Sequence, residues 1–128
     1  EFPVVLPMQV NIVDVRDVAE AHVRALTRGE DAGRYLTVSG DMQFKDISLA
    51  LRQAHPELKT PTFTLPYPAA LVVSIFHKRL SLAWARQHLR RRLYWDATPA
   101  ERELGMTWRA PQEALLDSMP VILENDWV

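Results

Sequence analysis

Apolar and polar positions alternate along the chain in short blocks that predict a few strands separated by amphipathic helices. The β-branched run at residues 10–15 predicts a buried strand. An amphipathic helix follows, with Asp17 as its predicted N-cap, Glu20 in the reciprocal position of the capping box, and an end near Gly29. Its apolar stripe is predicted from the helical spacing of Val18, Ala19, His22, Val23 and Leu26.

The middle of the chain predicts a second strand, a second helix and an extended segment. Residues 35–38 form the predicted strand, and Pro56 closes the helix because its ring disfavours a helical residue before it. The helix is indicated by the spacing of Phe44, Ile47, Leu51 and Ala54. Residues 62–65, bounded by prolines, are predicted to be a short strand or an extended loop.

The remainder predicts helices at about 68–78 and 82–91, a short helix beginning at Thr98, and a last helix from about Pro111. Thr98 is the expected cap of the short helix, with Pro99 in its first turn and Glu101 closing the box. The last helix is expected to be kinked or split by Pro120, and to bury Leu115, Leu116, Met119 and Ile122.

Composition indicates one globular domain covering residues 1–128. The chain has 48% hydrophobic and 24% charged residues, a formal net charge of −1 and no Cys. These values exclude disulfides and thiolate chemistry, and they give no global field toward nucleic acid or a membrane. The longest apolar run, 68–76, is far short of the ~20 residues that span a bilayer. The absence of Cys favours a cytoplasmic protein and leaves the compartment open. Glu1 is not an initiator Met and no signal-peptide pattern follows it, so we interpret Glu1 as a cut point.

Three segments, in order, resemble the C-terminal half of extended short-chain dehydrogenases/reductases, the epimerase/dehydratase and dihydroflavonol-reductase group. They are residues 12–26 (IVDVRDVAEAHVRAL), residues 33–40 (GRYLTVSG) and residues 95–106 (WDATPAERELGM). The resemblance implies an α/β fold, α+β-like in isolation, with few short strands and about five helices, the C-terminal portion of a Rossmann-type enzyme. It also implies a substrate-binding domain that lacks the N-terminal dinucleotide-binding half.

The family's cofactor-binding turn and its catalytic Tyr–Lys pair are both missing from this chain. The family holds NAD or NADP on a glycine-rich turn, and no such spacing exists among Gly29, Gly33, Gly40 and Gly105. Its catalytic Tyr is followed by Lys four residues later, whereas the tyrosines here, Tyr35, Tyr67 and Tyr94, are followed by Ser39, Leu71 and Thr98. The resemblance therefore implies no catalytic and no cofactor-binding residue in this chain, which is expected to be inactive alone.

The substrate implied by the resemblance is a small, apolar carbonyl or alcohol compound. Nucleotide-sugar epimerases of the family carry an Arg ahead of the strand-to-helix junction, and Val10 stands there. Aromatic and aliphatic side chains cluster around the predicted third helix, the region that lies over the substrate in the family. They predict a pocket wall, with core packing as the alternative for each: Phe63, Leu65, Tyr67, Leu71, Phe76 and Trp84, with Ile75 beside them.

Several charged residues admit a functional or a structural interpretation. Asp14 and Asp17 flank Arg16, which suits either catalysis or a helix cap with an ion pair, and the second is favoured. His22 is expected to be a hydrogen-bonded, partly buried histidine rather than a proton shuttle. No metal site is expected, because His55, His77 and His88 lack ligand spacing with carboxylates. A solvated helix face is favoured over nucleic-acid binding for Arg86, Arg90, Arg91 and Arg92.

Two functions remain open from the sequence. The favoured one is the substrate-binding region of an NAD(P)-dependent oxidoreductase or epimerase-like protein. The alternative is a non-catalytic binding or regulatory module with a dehydrogenase-derived fold. The expected partners are the missing N-terminal half and a small-molecule substrate. Self-association of the isolated chain is also expected, because a face meant for the missing half would leave apolar surface exposed.

Overall fold

A computed structural model describes residues 4–76 and 81–125. These residues form a mixed α/β structure with six helices and a two-stranded sheet. In chain order the elements are β1 (Gln9–Ile12), α1 (Val15–Arg28), β2 (Gly40–Gln43), α2 (Phe44–Ala54), α3 (Tyr67–Phe76), α4 (Leu82–His88), α5 (Thr98–Glu103) and α6 (Pro111–Glu124). Within the described residues, no helix is both long and apolar enough to cross a bilayer.

Helix α1 begins three residues earlier than the sequence predicts. Asp14, not Asp17, is the N-cap, because its extended backbone lets the carboxylate accept the Arg16 amide at 2.8 Å. The predicted cap was wrong because both aspartates satisfy the local pattern, and the Asp17 carboxylate instead accepts the Arg109 amide. The predicted end is confirmed, with Gly29 donating its amide to Ala25.

The apolar stripe predicted for α1 is not its buried face. The helix buries Asp17 and Ala21, whereas Val23 is 65% exposed and Leu26 87% exposed. Ala21 packs with three residues outside the helix, Ala100, Leu104 and Met106. The prediction was wrong because a small residue fits this close contact, and the larger apolar residues are left on the outer side.

The second strand lies later than predicted. Residues 35–38 are not a strand, and the Tyr35 ring instead packs against the Ala21 cluster while its hydroxyl accepts the Glu30 amide at 3.0 Å. The strand is β2, which pairs with β1. The Ser39 amide donates to Ile12 and the Phe44 amide to Met8, so the two segments run in opposite directions. β1 is also displaced from the predicted 10–15, and ends at Ile12.

The described chain divides into two compact units, the first within residues 1–10 and 42–93. Helix α2 ends before Pro56, as predicted, and residues 62–65 contribute one parallel bridge between Val5 and Thr64. Helices α3 and α4 contact each other through a cluster of Ala70, Ala85 and Leu89. The predicted end of α3, at residues 77 and 78, lies outside the described residues.

Helix α4 ends at His88 instead of continuing to residue 91. The chain turns at Arg90, whose φ is +60°, and the Arg90 amide donates to the Pro7 carbonyl at 2.8 Å. Its guanidinium lies over the Tyr67 ring, 5.4 Å from the centroid. A long-range backbone hydrogen bond and a cation–π contact therefore end a helix that the local sequence would extend.

The second unit, residues 11–41 and 94–128, contains α5 and α6 among its described residues. Thr98 is not a cap, because the Asp96 carboxylate accepts its amide at 3.0 Å. Glu101 does not close a capping box either, since it accepts the Trp108 indole N–H at 2.9 Å. Pro99 does occupy the first turn, as predicted.

Helix α6 begins at Pro111, as predicted, and continues through Pro120 without a break. Met119 is buried at 4% exposure, and Leu115, Leu116 and Ile122 are half-buried. The predicted inward face of α6 is therefore confirmed for Met119 and only partial for the other three.

Candidate functional site

A cleft of about 710 Å³ in the second unit is the candidate functional site. It lies between the segment that leaves the carboxyl end of β1 and one face of α6. Its lining is apolar apart from one polar end, and consists of Ile12, Val13, Asp14, Val15, Arg16, Ala114, Leu115, Asp117, Ser118, Val121 and Ile122.

The polar end of the cleft is a network of two carboxylates around one guanidinium. Arg16 donates from Nε and Nη2 to the Asp14 carboxylate at 2.9 and 2.6 Å. The same Nη2 also lies 2.5 Å from Asp117 Oδ2, which joins α1 to α6. Asp14 is 5% exposed as a residue, whereas the Arg16 and Asp117 side chains are each about half exposed. The expected ion pair around Arg16 is present, but the cap of α1 is Asp14 and not the predicted Asp17.

The network carries one net negative charge, since one arginine faces two aspartates. Hydrogen bonds from the Arg16 guanidinium lower the pKa of Asp14 from 3.8 to about 2, and the two carboxylates raise the pKa of Arg16. Asp14 is therefore ionised at neutral pH, and Arg16 has no free charge for a ligand. An anionic group, such as a diphosphate, is disfavoured at this end of the cleft.

The lowered pKa predicts an acid-dependent contribution to stability. A carboxylate with a depressed folded-state pKa stabilises the fold above its unfolded value, and that contribution is lost as the pH falls from about 4 to about 2. Asp14→Asn keeps a good N-cap and removes the charge. We expect its stability deficit, measured by urea unfolding, to be largest near neutral pH and to shrink through this window. A deficit that stays constant from neutral to acid pH would contradict the ion pair as its source.

Asp17 and Arg109 form a second ion pair at the same strand-to-helix junction. Asp17 is fully buried, and its carboxylate accepts the Arg109 backbone amide at 2.8 Å and the Arg109 guanidinium. The contact ties the first turn of α1 to the loop that leads into α6. Asp17 therefore positions both walls of the cleft without lining it. Nothing in the sequence indicates this pairing, because 92 residues separate the two partners.

The six residues predicted to form a pocket wall lie in the first unit, and none of them lines the 710 Å³ cleft. Leu65, Tyr67, Leu71 and Trp84 pack against the Ala70, Ala85 and Leu89 cluster. Phe63 and Phe76 are 63% and 83% exposed, so their side chains are free to contact another molecule. Four of the six thus pack against this cluster, and contact of any of the six with substrate stays a prediction.

The histidines considered as candidates in the sequence make structural contacts. His22 is hydrogen-bonded, as expected, with Nδ1 2.7 Å from the Val18 carbonyl, but it is exposed rather than partly buried. His88 Nδ1 lies 2.9 Å from the Trp84 carbonyl and its ring stacks on the Trp84 ring. Within residues 4–76 and 81–125, no three His, Asp or Glu side chains are grouped in a way that could hold a metal ion.

Comparison with known proteins relates the chain to an oxidoreductase. No family model matches it. It is 32% identical to the ketoreductase azaE of Aspergillus niger over 124 residues, which are 96% of this chain and 31% of that protein. The crystal structure of gox2253 superposes with a TM-score of 0.72 and 26% identity, over 97% of this chain and 40% of the other. The chain thus spans about a third of the curated relative, and is homologous to a ketoreductase over nearly its own whole length.

Proposed function

We propose that this chain is the C-terminal, substrate-binding portion of an NAD(P)-dependent oxidoreductase of the extended short-chain dehydrogenase/reductase type. The reaction proposed for the whole protein is hydride transfer to or from a small carbonyl or alcohol substrate. The observation that carries this is the similarity to a ketoreductase across 96% of the chain. Since the match occupies 31% of that relative, the rest of the machinery is proposed to lie outside these residues.

The cleft chemistry favours an apolar substrate. Its walls are aliphatic, and small-molecule sites are mostly apolar with a few polar groups that fix orientation. Its single cation is already shared between Asp14 and Asp117, which leaves a net negative charge. A nucleotide sugar would bring its diphosphate against that charge. An uncharged ketone or alcohol meets no such cost. The Ser118 hydroxyl donates to the Leu115 carbonyl at 2.7 Å, and its oxygen can accept a hydrogen bond from a substrate hydroxyl.

A nicotinamide dinucleotide does not fit the residues present here. Such a cofactor needs close-spaced glycines at the start of a helix, where free amides hold the pyrophosphate. The helix α1 that follows β1 begins instead with an aspartate cap, and its first-turn amide at Arg16 is taken by the Asp14 carboxylate. We therefore assign no cofactor contact and no catalytic step to this chain, and we propose that NAD or NADP is held by the missing N-terminal half.

Two surfaces of this chain are alternative candidates for the substrate-binding site. One is the cleft of the second unit, and the other is the predicted wall of the first unit, of which Phe63 and Phe76 remain exposed. We favour the cleft, because it combines apolar walls with a polar end. The role of the six predicted residues stays a prediction.

Titration of the isotope-labelled chain with a small aromatic ketone, followed by amide NMR shifts, tests substrate binding by this chain. Shifts are expected at residues 12–16 and on the cleft face of α6 at 114–122, with weak affinity because the cofactor half is absent. A nucleotide sugar serves as the matched competitor and should leave these amides unmoved.

Each other outcome of the titration has a defined meaning. Shifts confined to Phe63 and Phe76 would move the substrate to the first unit. Saturable binding of the nucleotide sugar would contradict the substrate class. No shift with any carbonyl compound would overturn substrate binding by this chain and favour the alternative of a non-catalytic module.

A further inference from the structure

A second pocket, of about 350 Å³, lies in the first unit, between the start of β1 and the end of α4. It is lined by Met8, Gln9, Gln87, His88, Arg91 and Leu93. None of these residues is acidic, and residues 58–95 contain seven Lys and Arg and no Asp or Glu. The pocket lining therefore carries a positive charge, although the net charge of the whole chain is −1.

Contacts made by Arg90 join the two walls of this pocket. The Arg90 amide donates to the Pro7 carbonyl at 2.8 Å, which links the turn after α4 to the residue before Met8. The Arg90 guanidinium lies 5.4 Å from the centroid of the Tyr67 ring. Met8 itself is partly buried against the cluster of Ala70, Ala85 and Leu89. The shape of the pocket is thus set by backbone and core contacts of the first unit.

The His88 ring forms a fixed part of the lining. Its Nδ1 lies 2.9 Å from the Trp84 carbonyl, and the two rings stack with their centroids 4.8 Å apart. Because Nδ1 donates to that carbonyl, Nε2 is the ring nitrogen left for a ligand. An anion favours the protonated ring, in which Nε2 is a donor.

Two further donors at this pocket have no acceptor among the described residues. Gln9 Oε1 accepts a hydrogen bond from Gln43 Nε2 at 3.3 Å, which leaves Gln9 Nε2 buried and without a partner. Arg91 is exposed and takes part in none of the described ion pairs. Buried donors in folded proteins almost always have an acceptor, so a ligand oxygen that the Gln9 amide turns to meet would satisfy this one.

We propose that this pocket binds a small organic acid. Its anionic head, a carboxylate or a phosphate, accepts hydrogen bonds from the Arg91 guanidinium and the Gln9 amide, and a short apolar body lies against Met8 and Leu93. Hydrogen bonds from a guanidinium to such heads are among the strongest that proteins make. The site is separate from the 710 Å³ cleft, whose polar end is negative, and it does not depend on the proposed reductase activity.

The proposed N-terminal half of the protein is the main alternative occupant. Interfaces between domains of one chain are broad surfaces, whereas this pocket is a concave site with the volume of a small molecule. An acidic side chain of that half could still use the same donors. The complete gene product distinguishes the two occupants, because a side chain already in the pocket would exclude an added acid.

Calorimetric titration of the 128-residue chain with benzoate and with benzamide, its uncharged isostere, tests the site. We expect saturable binding of benzoate and at least about tenfold weaker binding of benzamide, because the amide lacks the charge that Arg91 recognises. Phenyl phosphate is titrated in parallel, with phenol as its uncharged control. The anion that binds more tightly identifies the preferred head as a carboxylate or a phosphate.

Arg91→Gln is expected to weaken binding of the preferred anion about fivefold or more, since it removes the only arginine in the lining. Arg86→Gln is the matched control, because Arg86 is exposed on α4 and does not line the pocket. This variant should bind as the parent chain does. Urea unfolding of both variants checks that the fold is retained.

Three results would overturn the site: no binding of either anion, equal affinity for benzoate and benzamide, or an equal loss with both arginine variants. The complete gene product should bind the preferred anion with an affinity similar to that of the chain. Binding by the chain that is lost in the complete product would also overturn the site, because the N-terminal half would then fill the pocket. Ketone reduction is measured separately, so its failure is distinguishable from a failure of this site.

Discussion

Replacing Asp17 with alanine is expected to lower the free energy of unfolding by about 3 kcal/mol. The carboxylate is fully buried and accepts both the backbone amide and the guanidinium of Arg109. Alanine would leave that amide without an acceptor and the arginine without its counter-charge. The expected cost is at the lower end for a buried pair, because the Arg109 side chain is 36% exposed and can regain water. Urea unfolding at neutral pH measures it.

Glu20→Ala is the matched control on the same helix. Glu20 pairs with Arg24 one turn later, at the exposed surface, and such pairs contribute at most about 0.5 kcal/mol. A loss for Asp17→Ala as small as that of Glu20→Ala would contradict the interpretation of Asp17 as the residue that fixes the cleft walls. Asp17 would then be a helix-start residue whose pairing with Arg109 adds little to stability.

Filling the cleft with Ser118→Trp is expected to raise the KM for an apolar ketone about tenfold or more in the complete gene product, at least ~1.4 kcal/mol of binding. Ser118 lines the cleft from α6 and is exposed, so an indole at this position takes substrate space without displacing core residues. The free energy of unfolding should change little. Steady-state kinetics and urea unfolding on the same preparation separate the two effects.

Gln112→Trp provides the control for bulk and apolarity on the same helix. Gln112 is exposed in the first turn of α6 and does not line the cleft. Its KM should stay within about twofold of the parent value. Equal effects of the two substitutions, or none from Ser118→Trp, would move substrate binding away from the cleft and toward Phe63 and Phe76.

Local signals predicted the positions of several helices because prolines fix them through short-range sterics. Pro56 lies just beyond α2, Pro99 lies in the first turn of α5 and Pro111 begins α6. Each of these effects depends on residues within one turn. The sequence alone therefore predicted where these helices lie, but it did not predict which side chains cap them.

Errors arose where a distant partner overrides a local pattern. The local pattern predicts Asp17 as a helix cap. Its carboxylate instead pairs with Arg109, which lies 92 residues away in sequence. The local pattern places Tyr35 in a strand. Its ring instead packs beside Ala21, and its hydroxyl accepts the Glu30 backbone amide. Helix α4 ends early because the Arg90 amide donates to the Pro7 carbonyl and the Arg90 guanidinium lies over the Tyr67 ring. No local propensity encodes these contacts.

The sequence analysis predicted none of the cleft residues as a site, and foresaw only the ion pair at its polar end. Asp14 and Arg16 are two residues apart, so their pairing was foreseeable, whereas 101 residues separate Arg16 from Asp117. The predicted aromatic wall rested on the family resemblance and on composition, which do not distinguish a core cluster from a pocket. Trp84 illustrates this, because it is partly buried against the cluster that contains Leu89, while Phe76 is exposed.

Reduction of an apolar ketone by the complete gene product, followed as consumption of reduced NAD or NADP, tests the proposed function most directly. We expect turnover by the complete product, none by the 128-residue chain under the same conditions, and little with a nucleotide sugar. A complete gene product of the same mass as this 14.7 kDa chain, or one that binds no dinucleotide and reduces no carbonyl compound, would contradict the assignment to an NAD(P)-dependent reductase.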